Sequence, residues 1–178
     1  GKVKRTYSGA SSIPARIEFD GKDNDGTALP EGQYSAALSV TYVNGHEPSA
    51  DSPPFVIDVT PPAVSVSSDF TVFSPGGARP LLTFTQSGSK DSSWVGTVRD
   101  ADGNAVFSAA WKDLPASKLV FDGRGNDGKP LVDGKYAYQL VGTDRAGNVG
   151  RSAPVSFETD TPKVSLPLST VLTWCSPN

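Results

Sequence analysis

The feature that most constrains the fold is a self-repeat. The segment Phe19-Asp20-Gly21-Lys22-Asp23-Asn24-Asp25-Gly26 returns as Phe121-Asp122-Gly123-Arg124-Gly125-Asn126-Asp127-Gly128, 102 positions later. The same offset carries Leu29, Gly32, Tyr34 and Leu38 to Leu131, Gly134, Tyr136 and Leu140, and Phe55 and Asp58 to Phe157 and Asp160. It also pairs Val64, Val66, Phe70 and Val72 with Leu166, Leu168, Leu172 and Trp174, and Ser74-Pro75 with Ser176-Pro177. A period of this length is that of a sandwich domain rather than a solenoid rung, so each copy is expected to own a core. Residues 63–162 then form one complete repeat. Residues 1–62 correspond to the back part of a preceding unit, and residues 163–178 to the first strand region of a following one.

Within the complete repeat, short apolar-alternating runs are separated by turn chemistry at the spacing of strands. Leu82 and Phe84 share one face, Trp94 and Val98 another, and Tyr136, Tyr138 and Leu140 a third. Asp100-Ala101-Asp102-Gly103-Asn104 and Asp144-Arg145-Ala146-Gly147-Asn148 read as hairpin turns, because these residues tolerate positive φ or bond locally to the backbone. The linkers Asp58-Val59-Thr60-Pro61-Pro62 and Asp160-Thr161-Pro162 carry proline, which stiffens a junction and blocks a ladder. With 15 prolines and 18 glycines and no long helical run, the expected fold class is all-β, immunoglobulin-like β-sandwich repeats in tandem.

Several function classes lose their footing on composition. Sixteen basic residues against 19 acidic ones, scattered with no basic block, disfavour nucleic acid and anionic membranes as partners. No apolar run approaches the ~20 residues of a membrane span. Gly1-Lys2-Val3-Lys4-Arg5 lacks the apolar stretch of a signal peptide, so any targeting segment is expected outside residues 1–178. Cys175 is the lone cysteine and reads as a small buried apolar residue. His46, the lone histidine, follows Asn44-Gly45 in a turn. Neither a Ser-His-Asp triad nor a His/Cys metal cluster can be assembled from these, and catalysis is not expected.

The repeated acidic loop is the one cluster with metal chemistry to offer. Asp20 and Asp25, and their counterparts Asp122 and Asp127, are oxygen donors suited to calcium. Lys22 and Arg124 break the calcium-loop pattern, and Asn-Asp-Gly explains the same residues as a turn, so no cofactor is the leading expectation. Trp94 alternates in phase with Val98 and is expected in the core, and Trp174 on the core side of the next copy. Trp111, Tyr7 and Tyr42 are the rings that a ligand would stack on if the module bound one.

The run from Phe121-Asp122-Gly123 through Gly134-Lys135-Tyr136-Ala137-Tyr138-Gln139-Leu140 resembles the bacterial Ig-like repeat named for the flagellar hook-capping protein, with Phe where that family usually has Trp. The stretch Phe19 to Leu38 is similar to it too. Asp144 to Asn148 resembles a hairpin of bacterial Ig-like repeats, and Phe73-Ser74-Pro75-Gly76 and Cys175-Ser176-Pro177-Asn178 resemble an opening segment of such repeats in secreted and cell-surface proteins. The resemblance implies a non-catalytic structural or adhesion module, a spacer in the cell envelope, belonging to a bacterial extracytoplasmic protein that is periplasmic, on the cell surface or secreted. Its partners would be other domains of the same parent protein or envelope proteins. A glycan- or ligand-binding accessory module of a secreted enzyme and a flagellar hook-cap scaffold are the alternatives. Because residues 164–178 match the opening strands that residues 1–62 do not contain, strand exchange between copies is a further expectation.

Overall fold

The computed structural model describes residues 1–9, 12–90 and 92–161. Among them every regular element is a β-strand. They divide into two compact units, residues 1–61 with the turn 144–148, and residues 62–143 with residues from 149 onward.

The second unit is a sandwich of two sheets. One holds β5 (Val64–Ser68), β7 (Leu82–Gly88) and β10 (Lys118–Phe121) in the order β10-β7-β5. The other holds β6 (Val72–Phe73), β8 (Ser92–Arg99), β9 (Ala105–Asp113), β11 (Gly134–Thr143) and β13 (Val155–Thr159) in the order β6-β13-β11-β8-β9, with β12 (Val149–Arg151) also on β11. All pairings are antiparallel except β6 with β13, which is parallel.

Alternation decides which residues meet between the sheets. Leu82, Phe84 and Gln86 face inward from β7, Trp94 and Val98 from β8, and Tyr136, Tyr138 and Leu140 from β11. Phe73, Phe121 and Phe157 close the core. Each such side chain adds about 1.5–3 kcal/mol through the apolar surface it withdraws from water. The Tyr138 hydroxyl donates to Gln86 Oε1 at 2.7 Å, and burial pushes this phenol well above its ordinary pKa.

Two large rings need small neighbours. A β-carbon at Gly88 would lie 2.3 Å from the Trp94 ring and one at Gly142 2.4 Å from it. A β-carbon at Gly96 would meet the Tyr138 hydroxyl at 2.0 Å. Glycine inside three strands is therefore explained by close packing rather than by turns.

The opening run differs from its sequence pattern. Phe70 and Val72, which alternate in phase with Val64 and Val66, are 36% and 45% exposed, whereas Phe73 is 1% exposed. The chain leaves the first sheet after β5 and joins the second at β6, and the change of sheet resets the alternation. Trp174 lies outside the described residues, and the position it matches, Val72, faces outward. Trp111 is half-buried and packs against the core.

In the first unit β1 (Gly32–Tyr34) pairs with β4 (Phe55–Ile57), and β2 (Ala37–Ser39) with β3 (Ser49–Asp51). Leu29 is buried, but most of its apolar residues are not.

Candidate functional site

The repeated loop is built from the same backbone bonds in both copies. Asp23 N donates to Thr27 O at 2.9 Å, Gly26 N to Asp23 O at 3.2 Å and Leu29 N to Gly21 O at 2.8 Å. Their counterparts are Gly125 N to Lys129 O at 2.9 Å, Gly128 N to Gly125 O at 2.9 Å and Leu131 N to Gly123 O at 2.7 Å. Isolated bridges Lys22 to Ala28 and Arg124 to Pro130 close each loop.

Three of the four carboxylates expected as calcium donors, those of Asp20, Asp122 and Asp127, accept bonds within these turns. Asp20 Oδ1 accepts Lys22 N at 3.2 Å and Asp122 Oδ1 accepts Arg124 N at 3.0 Å. Asp127 Oδ1 accepts Lys129 N at 3.0 Å, and Asp25 donates its own N–H to Asp23 Oδ1 at 3.0 Å. Exposed cations stand beside them, Arg124 Nε 3.7 Å from Asp122 Oδ2 and Lys129 Nζ 3.6 Å from Asp127 Oδ2. Among the described residues no three His, Cys, Asp or Glu side chains converge as a metal-binding group.

One N–H is capped differently in the two copies. In the first, Asp23 Oδ1 accepts Thr27 N at 2.9 Å. In the second, Gly125 stands in place of Asp23, and Asp127 caps the matching N–H of Lys129 instead. Gly125 has no room for more, since a β-carbon there would lie 2.9 Å from Val106 O and 3.0 Å from Asp127 Oδ1.

The asparagine between them does something the sequence did not disclose. Asn126 Oδ1 accepts Ser108 N at 2.6 Å, its Nδ2 donates to Ser108 O at 3.1 Å, and its N–H donates to Val106 O at 3.1 Å. It thus serves the outer edge of β9 as a neighbouring strand would. Asn24 repeats this on the first unit, accepting Thr6 N at 3.0 Å and donating its N–H to Lys4 O at 3.2 Å.

A second pair of repeated carboxylates fastens the point where the chain leaves each unit. Glu31 Oε1 accepts Val59 N at 2.9 Å and the Thr60 hydroxyl at 2.6 Å. Asp133 Oδ1 accepts Thr161 N at 2.8 Å and its hydroxyl at 2.7 Å. The Thr60 hydroxyl first, then the Val59 N–H, hold Glu31 below the usual carboxylate range. The only sequence signal for this role was an acidic residue at the same offset in both copies.

The two Asp-to-Asn turns share one geometry. Asp100 Oδ1 accepts Asn104 N at 2.8 Å and its Oδ2 accepts Asn104 Nδ2 at 3.0 Å. Asp144 does the same with Asn148 at 2.9 and 3.0 Å. Gly103 and Gly147 take φ of 85° and 92°, which L side chains rarely adopt. The Asn104 side chain lowers the Asp100 pKa most. For Asp144, burial works against the charge, and the Asn148 amide with the Asn148, Ala146 and Gly147 N–H groups outweighs it.

The candidate ligand-stacking rings stay apart in character. Tyr7 is 44% exposed with Arg5 lying 5.2 Å over its ring, and Tyr42 is 53% exposed, 6.0 Å from His46. On the second unit, a shallow groove of about 730 Å³ is lined by Asp100, Asp102, Asp127, Asp133, Lys129 and Lys135, among others. Three of those four aspartates are already engaged with backbone N–H groups, so the groove is acidic in count but committed to its own loops. Cys175 lies outside the described residues.

No protein-family model and no curated protein matches the sequence. Solved structures show partial likeness. Dimeric latent PorU from Porphyromonas gingivalis gives a TM-score of 0.46 at 20% identity, over 76% of this chain and 13% of that one. A tetra-tandem repeat from the extending region of a large adhesion protein gives 0.41 at 24% identity, over 76% of this chain and 34% of that one. CopC from Methylosinus trichosporium OB3b gives 0.36 at 15% identity, over 58% of this chain and 100% of that one. The chain thus spans about an eighth and a third of the first two.

Proposed function

We propose that the chain is a non-catalytic spacer or interaction module of a bacterial extracytoplasmic multidomain protein, placed in the periplasm, on the cell surface or in the secreted fraction. The observation that carries this reading is the paired fastening of the exit segments, Glu31 on Val59 and Thr60, and Asp133 on Thr161. A carboxylate that ties the start of a proline-bearing linker to its own unit limits swivel at the junction, which suits a module that sets distance. The loops support it further, because their repeated polar side chains serve backbone N–H groups and a strand edge. Its partners are then other domains of the same protein or components of the envelope.

Force spectroscopy on the full chain tests this. The second unit should unfold in one event that lengthens the chain by roughly 30 nm, and Asp133→Ala should lower the force of that event. A glycan or peptide bound with Kd below about 100 µM, and lost on Tyr7→Ala or Trp111→Ala, would overturn the spacer reading in favour of a ligand-binding accessory module.

A further inference from the structure

The second unit sets a parallel strand pair between the segments by which its chain enters and leaves. β6 follows the entry near residue 62, β13 leads to residue 161, and among the described residues theirs is the only parallel pairing. Glu158 N donates to Thr71 O at 2.8 Å and Asp160 N to Phe73 O at 3.1 Å. The Ser74 hydroxyl adds a bond of its own, donating to Asp160 O.

Tension carried along the chain draws β6 toward its amino end and β13 toward its carboxyl end. Neighbouring strands drawn this way must slide along each other, so the bonds between them stretch together instead of opening one after another. β5 lies ahead of β6 and is held on β7, but with β5 drawn off, the load still has to part β6 from β13.

Both strands are anchored against such sliding. Phe73 is 1% exposed, its ring 6.0 Å from Phe121 and 5.8 Å from Phe157, so a slip of β6 drags a phenyl ring toward water. Beside it, Pro75 covers Gly123 so closely that a β-carbon on that glycine would lie 2.6 Å from Pro75 Cγ. On β13 the buried Thr159 hydroxyl donates to Val132 O at 2.7 Å, and Asp133 holds Thr161 beyond it. β9, at the opposite edge of this sheet, joins neither the entry nor the exit.

We propose that the second unit is load-bearing, and that β6 with β13 is a shear clamp setting its rate of opening under tension along the chain. This rests on the spacer reading and adds a task to it: the module holds its length under pull as well as at rest.

Constant-force measurements on the 178-residue chain, held by its two ends, test the clamp through the opening event of ~30 nm. Glu158→Pro removes the N–H that Thr71 O accepts, while the alternate N–H groups on the β11 side stay, and the side chain replaced is exposed. It should speed opening at fixed force at least about tenfold, and Ser74→Ala about threefold. Glu158→Ala keeps the N–H and should open at the rate of the unaltered chain. Asn126→Ala weakens the β9 edge and should lower the denaturant midpoint, yet leave the forced rate within about twofold. A Glu158→Pro chain that keeps its near-ultraviolet spectrum and opens at the unaltered rate overturns the clamp. So does an Asn126→Ala chain that opens as fast as Glu158→Pro, because resistance to force would then follow overall stability. Should Glu158→Pro fail to fold, Ser74→Ala decides, and an unaltered rate there overturns the clamp. None of these failures touches the spacer reading, which is overturned by ligand binding and not by these rates.

Discussion

Trp94 is fully buried in a slot whose walls are Gly88 and Gly142. Alanine at either glycine places a methyl inside the ring's van der Waals envelope, so Gly142→Ala should cost about 1–3 kcal/mol. Thermal denaturation followed by near-ultraviolet circular dichroism checks it, with Tm expected to fall by several degrees and the Trp94 band to change. Charge behaves as legibly as volume. Asp100, Asp144 and Glu31 all release their protons more readily when folded than when unfolded. Each therefore adds stability above the ordinary carboxylate pKa of about 4, and that contribution fades as pH falls through the lowered folded values. Acid titration of stability should show a loss beginning below about pH 4, and Asp144→Asn should make that limb shallower. The burial of Trp94 could be read from its phase with Val98. Its glycine walls could not, because they come from β7 and β11, strands brought beside it only by folding.

Asn126 shows where sequence reading stops at the level of an element. Asp-Gly and Asn-Asp-Gly correctly mark turns, since their chemistry is local. The bond from Asn126 to Ser108 spans 18 residues, and nothing in the loop itself announces it. Asn126→Ala removes a donor and an acceptor from the outer edge of β9 and should cost about 1–3 kcal/mol. Hydrogen exchange at the Ser108 amide should quicken, while the Thr97 and Gly96 amides on β8 keep their protection. The far end of β9 is closed by other means. Asp113 takes a φ of 64° and Leu114 N returns to Lys112 O at 2.8 Å, a tight reversal that stops the strand. The strands β7, β8 and β11 were legible because large apolar residues fall in one phase of the alternation, Leu82 with Phe84, Trp94 with Val98, and Tyr136 with Tyr138 and Leu140. β6 was not, since two residues are too few to set a phase and the chain changes sheets just before them.

For the whole molecule the tandem, all-β architecture followed from the repeat, and equivalent loops and turns do recur at its offset. What the repeat could not convey is that equal sequence sits in unequal surroundings, buried at Phe121 and exposed at Phe19. Stability should divide accordingly. Hydrogen exchange on the 178-residue chain should show strong protection for β7, β8 and β11, and protection at least a hundredfold weaker for β2 and β3. Equal protection in both units would contradict the unequal burial of their equivalent residues. The two acidic loops, finally, bear on inheritance. They share a backbone but trade which aspartate caps the turn, Asp23 in one and Asp127 in the other. Since Asp25 and Asp127 stand at the same offset, the two arrangements differ by one substitution, Asp23 against Gly125, and the aspartate two positions on is present in both copies to take over the cap. Loss of the aspartate at the position of Asp23 is therefore harmless only while the one at the position of Asp127 remains, so among descendants of this repeat position 125 should vary more freely than position 127.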